Sequence, residues 1–164
     1  MTASKFLHAG LMTMALALPA SPAHAQYAMM SPFRAMAGTW SGGGTLSLAN
    51  GERESLRCRA NYNPGAGGEE LRLNLRCASA SYNFDLTSEV QDRGGAISGQ
   101  WTEASRNASG TLSGRAAGGR IEATARGANF AANLSLTTRG NRQSVSIQPE
   151  GSDVREVTLA LSRR

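Results

Sequence analysis

Leu56-Arg57-Cys58-Arg59-Ala60-Asn61-Tyr62-Asn63-Pro64 and Leu71-Arg72-Leu73-Asn74-Leu75-Arg76-Cys77-Ala78 flank the glycine-rich segment Gly65-Ala66-Gly67-Gly68-Glu69-Glu70. Both arms alternate apolar and polar residues with a period of two, the signature of half-buried strands. Folding the stretch at Gly67-Gly68 as a two-residue primed turn sets Tyr62 opposite Leu73, Ala60 opposite Leu75 and Pro64 opposite Leu71. Arg57, Arg59 and Asn61 then share the other face with Arg72, Asn74 and Arg76, and Cys58 meets Cys77. Apolar and polar faces separate cleanly, and the two cysteines stand directly across from one another. A disulfide there closes a loop worth roughly 3 kcal/mol on chain-entropy grounds.

The same period recurs outward from this hairpin. Leu46 and Leu48, Tyr82, Phe84 and Leu86, Ile121, Ala123 and Ala125, and Phe130, Ala132, Leu134 and Leu136 each alternate with small or polar residues, as do Val145 and Ile147 and then Val157, Leu159 and Leu161. Asn50-Gly51, Arg93-Gly94-Gly95, Gly118-Gly119, Gly140-Asn141 and Pro149-Glu150-Gly151 punctuate them as turns. The expectation is an all-β, antiparallel, up-and-down meander of about eight to ten short strands. Closing it into a small soluble barrel buries the apolar face and removes the sheet edges. A two-residue turn at Asn50-Gly51 would put Leu46 and Leu48 on the wrong face; a bulged loop from Asn50 to Glu52 pairs Leu46 with Leu56 instead. Ser31-Pro32-Phe33-Arg34-Ala35-Met36-Ala37-Gly38 reads as a short helical turn ahead of the first strand.

Residues 1–25 read as a cleaved export signal: Lys5, then a mostly apolar run, then Ala23-His24-Ala25 as the cleavage site. The organisation expected is that signal, an N-terminal segment over 26–37 with the helical turn, and a single barrel domain over 38–164, in the periplasm or secreted. An oxidising compartment favours Cys58 and Cys77 as a structural bridge over a metal site or nucleophile.

Both histidines of the chain, His8 and His24, and its one lysine fall within the signal. What remains lacks the commonest general base and metal ligand and any amine for Schiff-base chemistry, so the expectation is a non-enzyme with no metal and no cofactor. Glu52 with Glu54, Glu69 with Glu70, and Asp85 with Glu89 read as solvated charge at turns or on polar faces. Gly42-Gly43-Gly44 lacks the lysine and helix of a phosphate loop and reads as a bend in a strand. The net charge of +5 comes from 17 basic and 12 acidic residues. The arginines are spread along the chain, which fits the composition of a GC-rich bacterial genome better than phosphate binding; the functional alternative is attraction to acidic envelope components such as anionic lipid headgroups or lipopolysaccharide, and no nucleic-acid partner is expected.

The helical turn followed by Gly38-Thr39-Trp40 resembles the Gly-x-Trp opening of the lipocalin and fatty-acid-binding (calycin) barrels. The resemblance implies that Trp40 packs across the closed end of the barrel against an arginine near the last strand, either Arg155 or Arg163. The middle motif of that family has no counterpart in this chain.

A membrane-spanning outer-membrane barrel is disfavoured by strands expected to be five to eight residues long, by aromatics at 5% and by the Ser162-Arg163-Arg164 end without an aromatic. The inward positions Tyr62, Leu73, Tyr82, Phe84, Trp101, Phe130 and Leu134 are the candidate ligand lining, interleaved with Ala60, Gly99, Gly114, Ala123, Ala125 and Ala132. Such small residues either leave room for a ligand or fill a tight barrel core. The functional expectation is an exported lipocalin-like barrel that binds a small hydrophobic molecule or lipid. The alternative is a non-enzymatic envelope protein, an inhibitor or assembly factor, that meets a protein partner through its outer surface.

Overall fold

The chain closes on itself. In the computed structural model, which describes residues 31–164, a helical turn α1 (Phe33–Met36) leads into ten strands. They are β1 (Gly38–Leu48), β2 (Arg53–Pro64), β3 (Glu70–Ala78), β4 (Asn83–Arg93), β5 (Ala96–Glu103), β6 (Ala108–Ala117), β7 (Arg120–Gly127), β8 (Phe130–Arg139), β9 (Arg142–Glu150) and β10 (Val154–Arg163). Each strand pairs antiparallel with its sequence neighbours, and β10 pairs back to β1, which completes a closed meander barrel. The export signal expected over residues 1–25 lies outside the described residues.

The β2–β3 register is the one the alternation dictates: Cys58 faces Cys77, Ala60 faces Leu75, Tyr62 faces Leu73 and Pro64 faces Leu71. The disulfide Cys58–Cys77 is formed. The turn itself is longer than the two residues expected. Gly65 and Glu70 pair by a backbone bond of 2.9 Å, and Ala66 to Glu69 form the loop, with Gly68 at φ +80°. One extra residue on each side leaves the register and the faces unchanged.

The β1–β2 connection also departs from expectation. It is a three-residue loop, Ala49 to Gly51, closed by Leu48 N–H to the Glu52 carbonyl at 2.8 Å, with Gly51 left-handed at φ +92°. Leu46 therefore faces Glu54, and Leu56 faces Gly44 rather than Leu46. An odd loop restores the shared apolar face wherever it is centred, so the faces follow from the pattern and the partner does not.

The strands run from 8 to 12 residues, longer than the five to eight expected. Length therefore gives no argument against a membrane barrel. The direction of the side chains does: Leu56, Cys58, Ala60 and Tyr62 are buried inside, while Arg57, Arg59, Asn61 and Asn63 are exposed outside. That is the reverse of a barrel with a lipid-facing apolar band. Among the described residues no helix is long and apolar enough to cross a membrane.

The small inward positions have a specific cause. A Cβ placed on Gly42, Gly44, Gly99, Gly110 or Gly114 would lie 1.8–2.2 Å from a carbonyl oxygen of the neighbouring strand. These glycines let adjacent strands coil sharply against each other, so Gly99 and Gly114 mark close backbone approach rather than ligand space.

Candidate functional site at the open mouth of the barrel

The meander gives the barrel two unlike ends. One end carries α1 and the start of β1. Phe33, Met36 and Trp40 are essentially fully buried there, and Trp40 Nε1 donates to the Met36 carbonyl at 2.7 Å. The Arg163 guanidinium lies 4.7 Å from the centre of the Trp40 ring and donates to the Ala35 carbonyl. Arg155 does not reach this end: it is exposed beside the β10 bulge opposite the end of β1, where the strand irregularity turns it out of the barrel. Arg34 fastens α1 to the β2–β3 loop through the Ala66 and Gly67 carbonyls at 3.1 and 3.0 Å.

Tyr62 also belongs to this closed end. Its ring meets Trp40 edge-on with centroids 6.4 Å apart, and its hydroxyl donates to Gln143 Oε1 at 2.7 Å. Burial pushes its phenol pKa up, and the Gln143 bond only partly opposes that. Gln143 in turn donates to Thr138 Oγ1 at 3.1 Å, which leaves the buried amide well satisfied. Leu73, across from Tyr62, packs half-buried against the same core. These two of the seven candidate lining residues are therefore in the closed half of the barrel, and Leu134 sits mid-strand in β8, paired with Ala123 and Ile147.

The other four gather at the opposite end. Tyr82 closes the β3–β4 turn and stacks with Phe84, rings 6.4 Å apart and 9° from parallel. Trp101 and Phe130 meet edge-to-face at 5.6 Å, with Trp101 Nε1 donating to the Thr111 carbonyl at 3.1 Å. Tyr82, Phe84 and Phe130 are only half-buried, so this end exposes aromatic surface that the closed end conceals.

A single carboxylate organises that rim, and sequence reading missed it. Glu103 ends β5 and is 8% exposed. It accepts backbone N–H bonds from Asp85 and Ser105 on Oε1 and from Arg106 on Oε2, at 2.9, 3.1 and 2.9 Å. Burial alone would raise its pKa, but these donors outweigh it and hold the group below the ordinary carboxylate range. The short 3-10 turn Ala104–Arg106 is thereby fixed so that Arg106 lies 4.8 Å over the Phe84 ring and 5.9 Å over Tyr82. The sequence signal was available in one form: a Glu two and three residues before the turn's free N–H groups is a capping arrangement.

Glu54 acts similarly one strand pair away and is not the freely solvated turn charge expected. Its carboxylate accepts from the Ser79 hydroxyl at 2.6 Å and the Ser81 N–H at 3.1 Å, which lowers its pKa. Asp85 and Glu89 lie on the outer wall, paired with Arg76 at 3.2 Å and Arg72 at 2.7 Å. Among the described residues no three His, Cys, Asp or Glu side chains gather as a metal-ligand set.

No family model matches the chain, and no curated protein matches it in sequence. Solved structures match it in fold. The chain superposes on the crystal structure of Rv2717c from M. tuberculosis with a TM-score of 0.64 at 17% identity, over 88% of this chain and 98% of that one. It superposes on the S-type phycobiliprotein lyase CPES from Guillardia theta with a TM-score of 0.55 at 12% identity, over 88% and 98% of the two chains. At these identities the likeness is one of fold, here a closed, antiparallel ten-strand barrel.

Proposed function

We propose that the protein is an exported calycin-like carrier that takes a small hydrophobic molecule or lipid through the aromatic mouth. One observation carries this: Tyr82, Phe84, Trp101 and Phe130 collect at the one end that α1 does not cover, and three of them remain half-buried. A soluble barrel built only for stability would cover such surface, as this one does at its other end. The disulfide Cys58–Cys77 fits an oxidising compartment, the periplasm or the outside of the cell, and accords with residues 1–25 acting as a signal. The glycine positions favour the mouth over the middle of the barrel as the seat of the ligand, since neighbouring backbone fills the space beside them. Binding is the activity we assign to the mouth. Glu103 and Arg106 hold the rim, and the Glu54 carboxylate is engaged by Ser79 and Ser81 of the turn beside it.

The test is fluorescence titration of the protein, purified without detergent, with the uncharged apolar dye N-phenyl-1-naphthylamine, read by energy transfer from tryptophan. Saturable micromolar binding is expected, weakened about tenfold by Phe84→Ala or Phe130→Ala, in line with loss of ~1.5 kcal/mol of apolar contact. Absence of saturation, or identical affinity in both variants, sinks the mouth as the binding site. Native mass spectrometry of the same preparation shows any lipid that co-purifies.

A further inference from the structure

Arginines far apart in the sequence meet on the outer wall of β1 to β4, in a hollow that reaches the rim of the mouth at Phe84 and Ser105. Arg57 and Arg59 project outward from β2, Arg76 from β3, and Arg164 follows β10 with its Nε donating to Ser41 Oγ at 2.6 Å. Together they rim a broad, open depression of about 800 Å³ whose lining also includes Ser41, Gly42 and Asp85. The facing residues of β1, Ser41 and Gly43, are too short to fill it, and Arg59 stands between Ser41 and Arg76 in the register.

The charges here are left uncompensated. Elsewhere on the outer surface Arg72 and Arg120 are each neutralised by a glutamate at 2.7 and 2.6 Å, and Arg115 and Arg126, unpaired among the described residues, stand apart on β6 and β7. In the depression only Arg76 has such a partner, Asp85, whereas Arg57, Arg59 and Arg164 make no ion pair among the described residues. Arg59 also lies directly opposite Arg76, an arrangement of like charges that works against strand pairing. A fold that holds three unpaired guanidiniums around a shallow hollow, against its own pairing energy, presents planar forks matched to phosphate oxygens.

We propose that this wall docks the protein onto an anionic phospholipid surface, with Arg57, Arg59 and Arg164 meeting headgroup phosphates. The hollow is open and lies on the outside of the barrel, so it cannot strip water from a single soluble phosphate ester. A leaflet instead offers many phosphates at once and a negative surface potential that attracts arginine. The hollow adjoins the mouth, but the proposal rests on the arginines and not on what the mouth binds.

The experiment is co-sedimentation of the full protein with vesicles of phosphatidylcholine alone or with phosphatidylglycerol, at low and physiological salt. The protein is expected to pellet with the anionic vesicles only, more weakly as salt rises. Arg57→Ser with Arg59→Ser should lower the partition about 25-fold, since each arginine near a leaflet contributes about fivefold. Arg115→Ser with Arg126→Ser, an equal charge removed from the far wall of the barrel, should leave most of the binding. Asp85→Asn removes the one acidic side chain among the hollow's lining residues and should strengthen it. Because the first pair relieves the Arg59–Arg76 opposition, its thermal midpoint should hold or rise, and a wild-type midpoint with lost binding separates docking from misfolding. Equal losses in the two double variants, unchanged binding after the first, weaker binding after Asp85→Asn, or calorimetric saturation by inorganic phosphate without vesicle binding would each overturn the proposal.

Discussion

At the closed end of the barrel Trp40 is fully buried, its indole N–H satisfied by Met36 and its face covered by Arg163, with Phe33 and Met36 packed across it. At the mouth Trp101 has its N–H satisfied too, yet the aromatics beside it stay half in water and an arginine only leans over two of them. The residue types are the same; the difference is a plug. Four residues of helix supply it at one end, and the turns at the other are too short to provide one. Stability should therefore concentrate at the closed end and ligand response at the mouth.

The sharpest way to break that division is to truncate one aromatic at each end. Trp40→Ala should cost about 3–5 kcal/mol by emptying the packed end and orphaning the Met36 carbonyl and Arg163. Phe84→Ala, half-buried, should cost only about 1–2 kcal/mol. Denaturant melts of the two variants decide it, and equal losses would show that the mouth is as much a structural core as the plug. Next in size is the disulfide. It ties β2 to β3 over a separation of 19 residues, so Cys58→Ala with Cys77→Ala should lower stability by roughly 3 kcal/mol. A reductant should destabilise the native protein by a similar amount and leave the variant unmoved.

How far these features could be read from the sequence depends on how many strands each one needs. The β2–β3 hairpin was legible because one segment carries alternation, a glycine centre and two cysteines that must coincide. In β1 the alternation fixed which face Leu46 and Leu48 take but not whether Leu46 meets Leu56 or Glu54, since a shift of two residues preserves every face. Strand lengths were underestimated where inward positions are glycine: Gly42, Gly44, Gly110 and Gly114 carry no apolar marker, although the barrel's curvature depends on them. Of the seven candidate lining residues, the sequence could assign an inward face but no height along the barrel. Tyr62 thus turned out to brace the closed end, and Tyr82, Phe84, Trp101 and Phe130 to ring the mouth. The arginine wall was invisible because its members come from β2, β3 and the end of β10, which only closure makes neighbours.

A smaller effect tests the closed end's polar bond. Tyr62→Phe leaves Gln143 Oε1 buried without its donor, at a cost of about 1–2 kcal/mol. Titration adds a signature. Tyr62 has its pKa raised in the fold, so the stability it confers is fully present below the unfolded value near 10 and is lost as pH climbs above it. Melts between pH 9 and 11 should fall more steeply for the native protein than for Tyr62→Phe. Parallel curves would mean that the phenol is not sealed, and with it the closed end.

The smallest expected change lies at the mouth, and it is the most informative about function. Glu103 fixes the 3-10 turn that carries Arg106 over Phe84, and a glutamine there still accepts some of the three backbone bonds, so Glu103→Gln should cost only about 1 kcal/mol. Because the carboxylate's pKa is lowered in the fold, its contribution is present above the unfolded value near 4.3 and disappears as pH falls through the lower folded value. Acid melts should therefore separate the native protein from the variant at neutral pH and bring them together in acid. The mouth reading adds a second consequence that a purely structural cap would lack. Freed from its carboxylate, the turn should let Arg106 swing off Phe84, so dye affinity and tryptophan quenching should change at neutral pH even though the fold is nearly as stable. If affinity stays fixed while stability drops, Glu103 braces the barrel without shaping its entrance, and the contrast between the two ends reduces to one of packing.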